Sequence, residues 1–137
     1  SVVGLLHKHG IGLEEMKGGS GTRLLNYAVE EDNAEMADLL IRCGADILVK
    51  GDRNPLTRAV RYRAHDTMRT LLKHGADPNE FDKGAPLHIA VYNNDKTAVK
   101  ILLDAGARVN VRNYEGKTPL HFVVSEEVRR MLLEKGQ

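Results

Sequence analysis

The side chains in this chain that could do chemistry are its histidines, its one cysteine, a few acidic pairs and a scatter of arginines and tyrosines. A zinc site needs Cys and His at short, paired spacings, and no such cluster exists here. His7, His9, His65 and His74 fall at helix ends or turns, where solvated imidazoles suit the helix dipole. Gly116-Lys117-Thr118 is similar to the end of a phosphate-binding loop. That loop needs a glycine five residues earlier, and the position holds Val111. Cys43 sits late in an apolar segment with no base nearby, so an inert, partly buried thiol is expected. Glu30-Glu31 and Glu126-Glu127 lie in polar breaks, with nothing to hold them across a cleft. No catalytic constellation emerges, and the sequence calls for no metal, cofactor or small-molecule substrate.

What positions these residues follows from composition and period. A chain of 137 residues is one domain or one run of small units. Twenty basic and nineteen acidic residues give a net charge of +1, which argues against nucleic acid as a partner. No apolar run approaches the roughly 18 residues of a membrane span, and no signal peptide opens the chain. A lone cysteine excludes an internal disulfide and fits an intracellular setting, cytoplasmic or nuclear. Aromatic residues are only 4% and Trp is absent, so the core must be built from Leu, Val, Ile and Ala in thin layers.

Two series share one period. Gly10, Gly44, Gly75, Gly106 and Gly136 each follow a Leu-rich pair, and Ala28, Ala59, Ala90 and Val123 recur at a matching step of about 31 residues. Pro55, Pro86 and Pro119 mark helix starts, where a missing N–H costs nothing. A polar break such as Tyr92-Asn93-Asn94-Asp95 follows, then a second helix that ends at the recurring glycine. Each unit therefore reads as helix, tight turn, helix and a polar finger. Neither helix is long enough to stand alone, so stacking must supply the stability.

Ala85-Pro86-Leu87-His88-Ile89-Ala90 and Thr118-Pro119-Leu120-His121-Phe122-Val123 resemble the T-P-L-H-x-A signature of ankyrin repeats. Gly75-Ala76-Asp77-Pro78-Asn79 and Gly106-Ala107-Arg108-Val109-Asn110 resemble the segment that closes such a repeat. The resemblance implies an all-α solenoid of helix-turn-helix units with β-hairpin-like fingers. Its repeats would fall at about 18–48, 49–79, 80–112 and 113–137, after a half-repeat at about 1–17, in a single domain 1–137. Arg23-Leu24-Leu25-Asn26-Tyr27-Ala28 and Asn54-Pro55-Leu56-Thr57-Arg58-Ala59 depart from the signature. Residues 17–21, Lys-Gly-Gly-Ser-Gly, are expected to make a long flexible finger, natural or inserted. The half-repeat favours a fragment of a longer protein. Val128, Met131 and Leu132 are expected on the outer face of the last repeat, where a cap would be polar. The resemblance also implies that His88 and His121 bond along the finger base and hold adjacent repeats.

The resemblance further implies a non-catalytic module that binds another protein or peptide through a concave face of fingers and first helices. Positions two and three residues past the Ala series point out there: Glu30, Glu31, Arg61, Tyr62, Tyr92, Asn93, Ser125 and Glu126. Finger tips add Arg53, Phe81 and Tyr114. Tyr27 and Phe122 are expected in the core, with Arg58 replacing them in the second repeat. Arg58, Arg61 and Tyr62 share one helix face and, with Arg53 and Arg63 nearby, form a basic patch suited to a carboxylate-bearing peptide. The expected binding residues are thus Arg53, Arg58, Arg61, Tyr62, Phe81, Tyr92, Asn93 and Tyr114. Two other roles fit the resemblance: a small inhibitor of Rel-type transcription factors or cyclin-dependent kinases, or the targeting segment of a larger enzyme. Asn79 and Asn110 match the turn in which family members are hydroxylated.

Overall fold

A computed structural model of the chain describes residues 19–49, 54–80 and 85–135. Among these residues there are seven α-helices, one 3₁₀ turn and no strand. The helices come in pairs: α1 (Gly19–Glu30) with α2 (Ala34–Arg42), α3 (Pro55–Arg61) with α4 (His65–Lys73), and α5 (Pro86–Tyr92) with α6 (Lys96–Asp104). The last unit pairs the 3₁₀ turn Pro119–Phe122 with α7 (Glu126–Lys135). First helices pack side by side in one layer, α1 on α3 on α5 on the 3₁₀ turn. Second helices form the other layer, α2 on α4 on α6 on α7.

Local chemistry fixes the ends of each helix. Asn33, Asn54 and Asp95 cap α2, α3 and α6 by accepting the amides of Met36, Thr57 and Ala98. The turn inside each of the first three pairs places Asp32, Arg63 or Asn94 at φ 51, 57 and 51°. The next amide then closes back on the helix, as Asp95 N does on Ala90 O at 3.0 Å. Second helices stop at Gly44, Gly75 and Gly106, with φ of 106, 100 and 99°, a region where a side chain would be strained. Leu25, Leu56, Leu71, Leu87, Leu102 and Leu132 lie fully buried along the seam between layers. Each such leucine contributes about 1.5–3 kcal/mol of transfer free energy.

Three expectations are corrected here. From Gly19 onward, the glycine-rich segment is the start of α1 rather than a finger. The first turn of a helix tolerates Gly and Ser because its amides have no partner in the helix. Lys17 and Gly18 lie outside the described residues. Val128 and Leu132 face α6 and are buried, and Met131 is half-buried, so they do not form an outer face. Tyr27 is 65% exposed and Phe122 only half-buried. The position just before the Ala series is the edge of the first-helix layer, where Ile89 and Phe122 still pack against the core but Tyr27 does not.

Candidate protein-binding face

The first-helix layer carries a cross-unit pair at the first and the third junction between units. The residue two past the Ala series in one unit meets the residue just before that series in the next. At the first junction this is an ion pair: Arg58 Nη1 donates to Glu30 Oε1 at 2.7 Å. At the third it is aromatic: Tyr92 and Phe122 meet edge to face, ring centroids 6.1 Å apart. Phe122 also meets His88 edge-on, and Lys117 Nζ stands 5.9 Å from its ring centre. This edge thus changes along the stack from charged to aromatic, with Arg61 and Tyr62 between.

Among the expected binding residues, Tyr62 is 53% exposed and Tyr92 and Tyr114 are each 72% exposed. Arg61 is exposed and makes no ion pair among the described residues. Asn93 is half-buried, and its carbonyl accepts a bond from Arg63 Nη2 at 3.0 Å. Arg58 departs from the basic patch expected of it. Its charge is taken by Glu30, and its Nε is buried with no hydrogen-bond partner among the described residues. Arg53 and Phe81 lie outside the described residues. Tyr114 is presented by a tight turn in which the Asn113 side chain accepts the amides of Glu115 and Lys117, while Asn113 N donates to Lys117 O at 2.8 Å.

On the second-helix layer, the expectation of solvated histidines at 65 and 74 does not hold. His65 Nε2 lies 2.7 Å from Asp95 Oδ2, and His74 Nε2 lies 2.6 Å from Asp38 Oδ1. The His74 hydrogen bond holds the Asp38 carboxyl below its usual range, helped by the nearby Arg42 and Lys73 charges and opposed by partial burial. His65 and His74 stand at the two ends of α4 and tie it to both neighbouring units. Their partners lie about one repeat period away in sequence. That separation was the signal available in the sequence, and it shows only once the units are stacked in register. His7 and His9 fall outside the described residues. Among the described residues, no three acidic, His or Cys side chains group as a metal site would require.

A profile described as "Ankyrin repeats (3 copies)" matches residues 1–82 and 81–137. The chain belongs to the ankyrin-repeat family, whose members are generally non-catalytic protein-interaction modules. It is 33% identical over 108 residues to ankyrin repeat protein FPV031 of Fowlpox virus, covering 74% of this chain and 32% of that protein. It is 37% identical over 124 residues to FPV014 of the same virus, covering 85% of this chain and 28% of that one. Transient receptor potential cation channel subfamily A member 1 of Homo sapiens is 46% identical over 125 residues, 84% of this chain and 11% of that protein. The chain therefore spans a third or less of the length of these relatives. Among the described residues, no helix is long and apolar enough to cross a membrane.

Proposed function

We propose that this chain is a non-catalytic binding module that holds a partner protein or peptide on its first-helix and finger face. The observation that carries this reading is the set of exposed anchors Arg61, Tyr62 and Tyr92 at the ends of first helices, with Tyr114 exposed on a finger turn. Aromatic and Arg side chains dominate binding energy where they are desolvated by a partner. Arg61 supplies a free guanidinium for a carboxylate of the partner, with Asn93 in the next unit beside it. Arg58 acts indirectly, as the counter-ion that fixes Glu30. Repeats at about 18–48, 49–79, 80–112 and 113–137 are the units of this surface. The lone cysteine suits an intracellular location.

The test is a comparison of baits in a pull-down, followed by titration calorimetry with the protein recovered. Tyr62→Ala or Arg61→Ala should weaken binding at least about 10-fold, since about 1.4 kcal/mol is tenfold. Circular dichroism should be unchanged, because both side chains are exposed. Arg69→Ala, on α4 in the opposite layer and paired with Asp66 at 3.0 Å, should leave affinity intact. Loss of binding in Arg69→Ala with retention in the other two would place the interface on the wrong side.

A further inference from the structure

On the outer side of the second-helix layer, one register position carries the same charge in three successive units. Arg69, Lys100 and Arg130 are the fifth residues of α4, α6 and α7, and all three are exposed. The register is fixed by the seventh residue, Leu71, Leu102 or Leu132, which is buried in each helix. The sixth residue, Thr70, Ile101 or Met131, is half-buried and runs beside the cations as a shallow, mostly apolar line. The cationic line stops at the first unit. There the fifth residue of α2 is Asp38, and His74 holds it at 2.6 Å.

The acids near this line are mostly engaged by other cations. Glu127 pairs with Lys96 at 2.7 Å, Glu126 with Arg129 at 3.9 Å and Asp104 with Lys135 at 3.9 Å. Asp66 pairs with Arg69 at 3.0 Å, but both side chains are more than half exposed, so a partner's carboxylate can compete for that cation. Lys100 and Arg130 are in no ion pair among the described residues. Lys73 adds an exposed cation one turn past Arg69, and Glu134, one turn past Arg130, bounds the line at the other end.

Helices packed side by side stand about 8–10 Å apart, so the three cations repeat at about that distance across the layer. A chain in polyproline II geometry rises about 9 Å per turn of three residues, and its side chains at i, i+3 and i+6 share one face. A β-strand sets same-face side chains about 7 Å apart, which falls short of the spacing. An α-helix meets it only with acids seven residues apart, about 10–11 Å, and docks by laying an apolar face into a groove. A nucleic-acid backbone is disfavoured by the net charge of +1 and by the acids interleaved with the cations.

We infer that this line binds an extended acidic segment of a partner protein, held in polyproline II geometry with a carboxylate at every third residue. It is a second surface, on the layer opposite the one proposed above, and does not depend on that reading. Arg69 and Arg130 take the outer carboxylates and Lys100 the central one, while the intervening residues lie over Ile101 and Met131.

The experiment titrates isotope-labelled protein with a peptide of three Glu-Pro-Pro triplets, followed by NMR at about 20 mM salt, where screening is weak. Amide shifts should centre on residues 69–70, 100–101 and 130–131. The same glutamates placed at every second residue should bind at least about 3-fold more weakly, and about 200 mM salt should weaken the triplet peptide at least about 5-fold. Lys100→Gln combined with Arg130→Gln should cut affinity at least about 5-fold with an unchanged circular dichroism spectrum, and Lys100→Arg should keep it. Tyr62→Ala should change nothing. The inference fails if the two spacings bind alike, or if a helical peptide with glutamates seven residues apart binds more tightly. It fails if the paired Gln variant keeps full affinity. Shifts centred on Tyr62 and Tyr92 would put the acidic segment on the opposite layer and overturn it, whatever the fate of the first-helix surface. Displacement of the peptide by phosphatidylserine vesicles at equal charge would overturn it in favour of a lipid surface.

Discussion

Helix α5 and the 3₁₀ turn begin with nearly the same residues, Pro86-Leu87-His88-Ile89 and Pro119-Leu120-His121-Phe122, and end differently. Both histidines take the amide three residues back, at 3.1 and 2.9 Å, so the two starts are built alike. Helix α5 runs on to Tyr92, and Asn94 at φ 51° turns the chain so that Asp95 N reaches Ala90 O. The last unit leaves the helix at Val123, with φ −65° and ψ 128°, and Ser125 already leads into α7. It has about one helical turn less chain between its signature and its terminal glycine. The signature therefore specifies how a first helix starts, and the length that follows decides whether it continues. Helix α7 still seats Val128 and Leu132, because it packs on α6 without needing a full first helix beneath it.

That contrast can be broken most directly with leucine. Leu87→Ala opens a cavity in a closed seam and should cost about 2–5 kcal/mol in urea unfolding, and Leu102→Ala the same. Leu120→Ala, at the matching but partly exposed position, should cost less than about 1 kcal/mol. Equal losses would show that the last junction is as tight as the others. Histidine gives the next largest difference. His88→Ala removes its own cap bond and leaves Lys117 O without its partner, about 1–3 kcal/mol, whereas His121→Ala removes only the cap and should cost about 1 kcal/mol.

The second-helix layer sharpens the comparison at smaller scale. His74→Gln removes the chief cause of the lowered Asp38 carboxyl, so that carboxyl should titrate higher when followed by carbon-detected NMR. A carboxyl lowered by folding stabilises fully above its ordinary range and loses that contribution as pH falls through its folded value. The stability gap between wild type and His74→Gln should therefore be open near neutral pH and close in the acid range below about pH 4. A gap that stayed open or widened as the pH fell below about 4 would contradict the assignment. Among the described residues helix α7 has no such bridge and makes exposed pairs, Lys96 with Glu127 at 2.7 Å and Lys135 with Asp104 at 3.9 Å. Lys96→Ala should change stability by less than about 0.5 kcal/mol and show little salt dependence.

The helix ends were readable because their chemistry is local. A glycine in the left-handed region, a proline at a first position and an Asn or Asp cap each report on a few neighbouring residues. The edge of the first-helix layer was readable in part. Tyr62, Tyr92 and Tyr114 stand exposed as their spacing implies. Tyr27 is exposed although Ile89 and Phe122 at the matching position pack against the core, so the position's type alone does not decide its burial. Arg58 looked like a free cation because Glu30, its partner, lies a whole unit away. The bridges of His65 and His74 escaped for the same reason. The shortness of the last unit was visible by counting, yet which helix gives up the turn depends on packing.

The start of α4 carries a further consequence. Ala64 at its cap position has no side-chain acceptor, and the bond is supplied from the neighbouring unit: Asp32 Oδ1 accepts both the amide of Thr67, at 3.1 Å, and its hydroxyl, at 2.9 Å. The second unit thus borrows its helix start from the first. Genetic duplication or shuffling that carried residues 54–80 elsewhere would strand that amide unless an Asp stood in the preceding turn. The start of α4 is therefore specified by residues on both sides of the first junction.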